Sequence, residues 1–208
     1  MKNILLILMI CITIRSWSQR EGGSIILGLG LSHYIRDKQN ELHIIEPHAD
    51  IGPVAEIMYQ FSLNRKLKYI AGLSYQYMIM PSYKEETHKF LISEISVLVL
   101  IRKALLPIGQ KQLFITTGLC PGKLVGFKLF HEERDGWHKQ DYHILEHYSN
   151  DNRLFADLYF DVGLISSDYQ KGLASLSAFL RYRIKDYWLG YYKAPLYYGA
   201  KLNIRLYK

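Results

Sequence analysis

Cysteine is almost absent from this chain, with two copies, Cys11 and Cys120, in 208 residues. Cys11 lies in an apolar leader, so the mature chain keeps a single thiol and a disulfide scaffold is excluded. Long hydrophobic runs are missing after the leader. No later segment approaches the roughly 20 apolar residues that a transmembrane helix needs. If the chain crosses a membrane, it does so with strands. Runs of Lys or Arg are missing as well. The formal net charge of +7 is dispersed, which leaves no electrostatic footprint for nucleic acid as a partner. Gly-x-Ser-x-Gly, His-Glu-x-x-His and paired-cysteine signatures do not occur, so the familiar hydrolase and metal-site patterns have no foothold.

What is present points outward from the cytoplasm. The length suits one domain. The 49% hydrophobic and 22% charged composition is neither disordered nor helical-membrane in character, and tyrosine is abundant at 17 copies. The N-terminus "MKNILLILMICITIRSWSQ" has a basic Lys2, an apolar run from Ile4 to Ile14 and a small-x-small site, Ser16-Trp17-Ser18. Residues 1–18 read as a cleaved signal peptide and 19–208 as one β-barrel domain. Ile10 stands where a lipoprotein would carry a small residue before the cysteine, which argues against lipidation at Cys11.

Period-2 alternation recurs in eight segments. In Arg153–Ile165 the even positions Leu154, Ala156, Leu158, Phe160, Val162 and Leu164 are all apolar, whereas the odd positions include Asp157 and Asp161. The same pattern marks 24–32, 51–63, 67–79, 91–102, 112–120, 173–183 and 197–208. One face of these strands is apolar. The other is rich in Gly and Ser and carries Glu56, Lys68, Glu94, Arg102, Asp157, Asp161, Arg181, Arg183, Lys201 and Arg205.

Alternation alone does not say which face is inside. A soluble, secreted, lipocalin-like barrel would bury the apolar face around a ligand. A membrane barrel would turn that face to lipid and the charged face inward. Three features favour the second arrangement. The polar face is small and mixed in charge, as the filled interior of an eight-stranded barrel requires. Tyr34, Tyr59, Phe61, Tyr69, Tyr77, Tyr182, Tyr198 and Tyr207 fall towards strand ends, where aromatic girdles form. Connections also alternate: "NRK", "KALLPIGQK" and "SSDYQKG" are short, while 33–50, 80–90, 121–152 and 184–196 are longer. The expected fold is an all-β, eight-stranded, antiparallel up-and-down transmembrane barrel. The short turns and both chain ends would lie in the periplasm, with the long loops outside the cell.

"GPVAEIMYQFSLNRKLKYIAGLSYQYM" and "FLISEISVLVLIRKALLPIGQKQLFITTGLCPGKLVG" make two successive hairpins of this pattern. Their order resembles the small outer-membrane β-barrel proteins of the PorT-like family, over nearly all of the mature chain. Ser93-Glu94-Ile95-Ser96 stands where the family usually has a Leu-Glu-Ile-Pro-type start. The resemblance implies residence in the outer membrane of a Gram-negative bacterium, and a link to protein secretion through the family's namesake.

On the residues alone, Glu56, Glu94, Asp157 and Asp161 are expected to pair inside the barrel with Arg181, Arg183, Lys201 and Arg205, since unpaired buried charge is costly. Which acid meets which base is not readable from sequence. All eight histidines lie in or beside the long connections. His143 and His147 share a helical spacing that metal sites use, without a supporting signature. No serine lies between His131 and His147 to serve as a nucleophile there, so an outer-membrane lipid-modifying enzyme is the less favoured reading. The expectation is a non-enzymatic protein without cofactor. It would contact outer-membrane lipid, and its loops would serve binding, adhesion or support of envelope or secretion proteins.

Overall fold

A computed structural model gives the fold, and describes residues 23–35, 52–62, 64, 67–81, 88–133, 136–140, 153–166, 174–185 and 196–206. The strands are β1 (Ser24–Ile35), β2 (Gly52–Ser62), β3 (Leu67–Pro81), β4 (His88–Ile108) and β5 (Lys111–Glu133). They continue with β6 (Gly136–Gln140), β7 (Leu154–Ser166), β8 (Ala174–Lys185) and β9 (Leu196–Leu206). Their order is β4-β3-β2-β1-β9-β8-β7-β5-β6, and a further β4–β5 pairing closes eight of them into a barrel. Every neighbouring pair is antiparallel, including β1 with β9.

The ladder fixes the barrel's shape. Following hydrogen-bonded partners from Ser24 through Gln60, Ile70, Leu100, Gly118, Tyr159, Arg181 and Tyr197 returns to Tyr34, ten residues further along β1. That stagger requires the strands to tilt by roughly 35–45°, and eight strands so tilted enclose a bore that side chains can fill.

The two faces are unlike throughout. On β8, Ser175, Ser177, Phe179, Arg181 and Arg183 are buried while Leu176, Leu180, Tyr182 and Ile184 are exposed. Among the described residues, 29 large apolar side chains point outward, with Leu29 61% and Leu176 65% exposed. A continuous apolar surface of that extent far exceeds the few hundred Å² a soluble monomer presents. The soluble-barrel alternative needs the apolar face to line a ligand cavity. Here that face looks out and the charges look in. Aromatic stacks sit near the barrel ends: Tyr59–Phe61 at 6.5 Å and Phe61–Tyr69 at 5.4 Å on one side, His33–Tyr198 at 5.2 Å towards the other.

The sequence reading undersized the central hairpin. "KALLPIGQK" reads as a connection, yet β4 runs unbroken to Ile108 and turns at Gly109–Gln110 into β5. Gly109 adopts φ 58°, a left-handed conformation that glycine tolerates without strain. The segment 121–152 reads as a loop, yet β5 continues through Pro121 to Glu133 and folds back into β6. The last β5–β7 partner is Lys123 with Leu154, so ten more residues of β5 rise beyond β7. At about 3.3 Å per residue that is roughly 33 Å of strand. Register shifts between Ser93 and Glu94 and between Ala104 and Pro107 mark this hairpin, and such bulges bend a strand and increase its local twist. Across the barrel, the β2–β3 turn is closed by Asn64, whose Oδ1 accepts from the Leu67 amide at 2.8 Å.

Candidate functional site: the charged lumen

Eight ionisable side chains on inward positions are buried among the described residues: Glu56, Glu94, Asp157, Asp161, Arg102, Arg181, Arg183 and Lys201. Strand alternation alone places them there. Each lies an even number of residues from a buried neighbour on its own strand, as Asp157 does from Tyr159. They form two groups and one isolated cation.

The first group centres on Arg183 of β8. Its Nη1 and Nη2 donate to Glu94 Oε1 and Oε2 on β4, both at 2.7 Å, in a fork-to-fork pairing. Its Nε donates to Asp157 Oδ1 on β7 at 2.9 Å. The guanidinium lies between the rings of Phe155, 4.1 Å from its centroid, and Tyr197, at 4.8 Å. A delocalised cation gains from both ring faces. Phe155 can lie there because Gly122 is opposite. A Cβ at Gly122 would fall 2.3 Å from Phe155 Cζ.

The second group joins five strands. Arg181 Nη2 donates to Glu56 Oε1 on β2 at 2.8 Å and to Ser74 Oγ on β3 at 2.7 Å. Lys201 of β9 donates to Glu56 Oε2 at 2.6 Å and to the Tyr159 hydroxyl, and lies 3.3 Å from Asp161 Oδ2. Asp161 Oδ2 also accepts from Tyr159 at 3.1 Å and from Ser177 at 3.3 Å. Asn203 continues the polar layer, donating to Ser175 Oγ at 3.2 Å.

Arg102 of β4 stands apart. Its Nε donates to Thr116 Oγ1 at 3.0 Å and its guanidinium sits 4.1 Å from the Phe114 ring centroid. Arg205, half-buried on β9, donates from Nε to Ser24 Oγ at 2.9 Å. Among the described residues no group of three or more metal-ligating side chains occurs, and His143 and His147 lie outside those residues. The sequence reading did not single out Tyr159, Ser74, Thr116, Phe155 and Tyr197. The inward parity of Phe155 and Tyr159 was the available signal.

The arrangement spans the bore with cross-lumen bridges and leaves fixed charge inside and hydrocarbon outside. No protein-family model matches the chain, and no curated protein matches it. Among solved structures it is similar to Neisserial surface protein A, with a TM-score of 0.52 at 10% identity, covering 90% of this chain and 100% of that one. It is also similar to Ail, the attachment invasion locus protein of Yersinia pestis, with a TM-score of 0.44 at 14% identity and coverages of 89% and 99%. The N-terminal β-barrel domain of Pseudomonas aeruginosa OprF gives a TM-score of 0.42 at 11% identity, with coverages of 89% and 98%. The first of these likenesses supports the small closed barrel fold, and at that identity speaks to fold alone.

Proposed function

We propose that this protein resides in the outer membrane of a Gram-negative bacterium, delivered there through a cleaved signal peptide of residues 1–18, as a non-enzymatic barrel of the PorT-like kind. The observation that carries this reading is the inversion of the two faces: a belt of exposed Leu, Ile and Val surrounds a lumen of paired charges. Hydrocarbon is the solvent in which that arrangement is stable. The bore is crossed by Arg181–Glu56, Lys201–Glu56 and Arg183–Glu94 bridges. The lumen therefore acts as a filled, structural core, not a pore. Function falls to the segments beyond the barrel, where the β4–β5–β6 extension presents a paired-strand platform for binding, adhesion or support of an envelope or secretion complex. No cofactor is implied.

The test is electrophoretic mobility in SDS with and without boiling, on protein from the envelope fraction, together with single-channel recording in planar bilayers. A detergent-requiring protein that shifts on boiling and gives no sustained conductance supports the reading. A protein that stays in solution without detergent and shows no shift overturns it.

A further inference from the structure

Where β5 rises beyond its last partner on β7, three histidines fall in one cross-strand row. His88, the first residue of β4, is the direct partner of His131 on β5, and His131 is in turn the partner of His138 on β6. Directly opposed residues of an antiparallel pair share a face of the sheet, with Cβ atoms about 4.5–5.5 Å apart. Backbone register alone makes this row. β6 is five residues long and pairs with β5 over Leu129–Glu133, so His138 at its midpoint meets His131 at the midpoint of that segment. By alternation Glu133 holds the next position of the same face, opposite Gly136. Three of the chain's eight histidines are thus gathered from three strands into one line. The described side chains of the lumen form no metal-ligating group; this row lies beyond them, in the extension. Protonated histidines so placed would repel one another, as like charges opposite each other do. A shared metal ion, which needs neutral imidazoles, turns the same proximity to advantage.

We propose that His88, His131 and His138 form a binding site for a divalent late transition metal, with zinc as its representative, and that Glu133 or water completes the shell. Adjacent strands lie about 4.8 Å apart, so the outer two positions of the row are separated by about 10 Å. Two imidazoles can close that span on one ion through metal–nitrogen bonds of about 2.0–2.1 Å, with the third histidine between them. Imidazole nitrogens suit zinc, copper and nickel, whereas calcium and magnesium call for oxygen ligands. Paired strands hold such a constellation more exactly than loops do, and β5 is paired on both sides at His131. The row is separate from His143 and His147, which lie outside the described residues. The site rests on register and ligand chemistry; only its exposure at the cell surface rests on the membrane topology proposed above.

The experiment uses the folded full-length mature protein in maltoside micelles, stripped with chelator. Zinc chloride is titrated by calorimetry, and cobalt(II) chloride is followed in parallel by its visible absorption. The wild type is expected to take up about one zinc ion per chain and to show no response to magnesium chloride. H131Q is expected to weaken zinc by about 100-fold or more, since losing a ligand exceeds the roughly 10–100-fold cost of losing a supporting group. H88Q and H138Q should weaken it likewise, and H143Q/H147Q should leave it unchanged. Unboiled gels check that each variant keeps its folded band. Absence of zinc uptake in the wild type, an equal response to magnesium, or undiminished uptake in H131Q overturns the site. A loss in H143Q/H147Q as large as that in H131Q overturns it as well. Should H131Q fail to fold, H88Q and H138Q carry the same test, and undiminished binding in both overturns the site. Loss of boiling-dependent mobility in the wild type would refute the membrane reading while leaving the zinc titration independent.

Discussion

Removing Arg183 should be the most damaging single change in the lumen. Its guanidinium serves Glu94 and Asp157 at once, with three bonds of 2.7 to 2.9 Å. Both acids are buried, Glu94 at 2% and Asp157 at 0% exposure. R183M would leave two carboxylates in a confined bore without their cation. Breaking a buried pair by deleting one partner costs about 3–5 kcal/mol. Loss of the two ring contacts adds to this, without simple additivity. Against a total stability of about 5–15 kcal/mol, that is a third or more of what holds a domain together. Glu94→Gln should behave differently. With Arg183, the two acids carry one negative charge in excess, so neutralising Glu94 balances the cluster while its amide oxygen still accepts a bond. Its cost should stay near 1 kcal/mol, the scale of one neutral hydrogen bond. The triple change R183M/E94Q/D157N should recover most of the R183M loss, because replacing all members of a buried ionic cluster is often neutral. The assay is urea unfolding in lipid vesicles, scored by the folded fraction on unboiled gels. An R183M cost below about 1 kcal/mol, or a triple variant as unstable as R183M, would refute this account.

Leu29 faces outward at 61% exposure, well inside its strand. L29R should cost about 2–4 kcal/mol in vesicles if that face meets lipid, and within about 0.5 kcal/mol if it meets water; the same urea titration distinguishes them. Gly122 gives the Phe155 ring its place, since a Cβ there would fall 2.3 Å from Cζ. G122A should destabilise by about 1–3 kcal/mol through overpacking, and combining it with F155L should be less damaging than the sum of the two, as a double-mutant cycle would show.

How much of this was legible depends on which physical signal each part left in the chain. The barrel class and the two faces were legible because lipid and a narrow bore impose opposite chemistry on alternate residues, as in Leu158 and Asp157. Alternation survives any tertiary detail. The length of the central hairpin was not legible. Pro121 and Gly122 interrupt the pattern in the middle of β5, and both normally weaken a strand. In the barrel Pro121 faces outward opposite Ala156, and Gly122 exists to admit a ring from β7. The pairing inside the lumen was illegible for a different reason. Arg181 reaches Glu56 across 125 residues of sequence and Arg183 reaches Glu94 across 89. Such partners are set by the ten-residue stagger of the closed ladder, which no local pattern encodes. That Arg102 meets Thr116 and the Phe114 ring, and makes no ion pair among the described residues, was hidden likewise, since such placement is a property of the whole bore.

These long-range bridges bear on why charge is kept inside at all. An apolar filling of the same volume could match or exceed the stability of a buried ionic network. It could not distinguish the two faces. Were the lumen as apolar as the outer belt, sliding β8 by one residue against β7 and β9 would exchange two equivalent faces. With Arg181 and Arg183 in place, the same slip would drive both guanidinium groups into the lipid and strand Glu56, Glu94 and Asp157 inside. The network then acts as a register lock, penalising the wrong ladder more than it stabilises the right one. A variant with Glu56, Glu94, Asp157 and Asp161 as Gln or Asn and Arg181, Arg183 and Lys201 as Met makes the idea testable. It should retain a β-sheet circular dichroism signal after refolding into vesicles, yet give several folded bands on unboiled gels where the wild type gives one. A single folded band refolding with undiminished yield would show that the hydrophobic belt and the turns alone set the register, and that the charges serve another end.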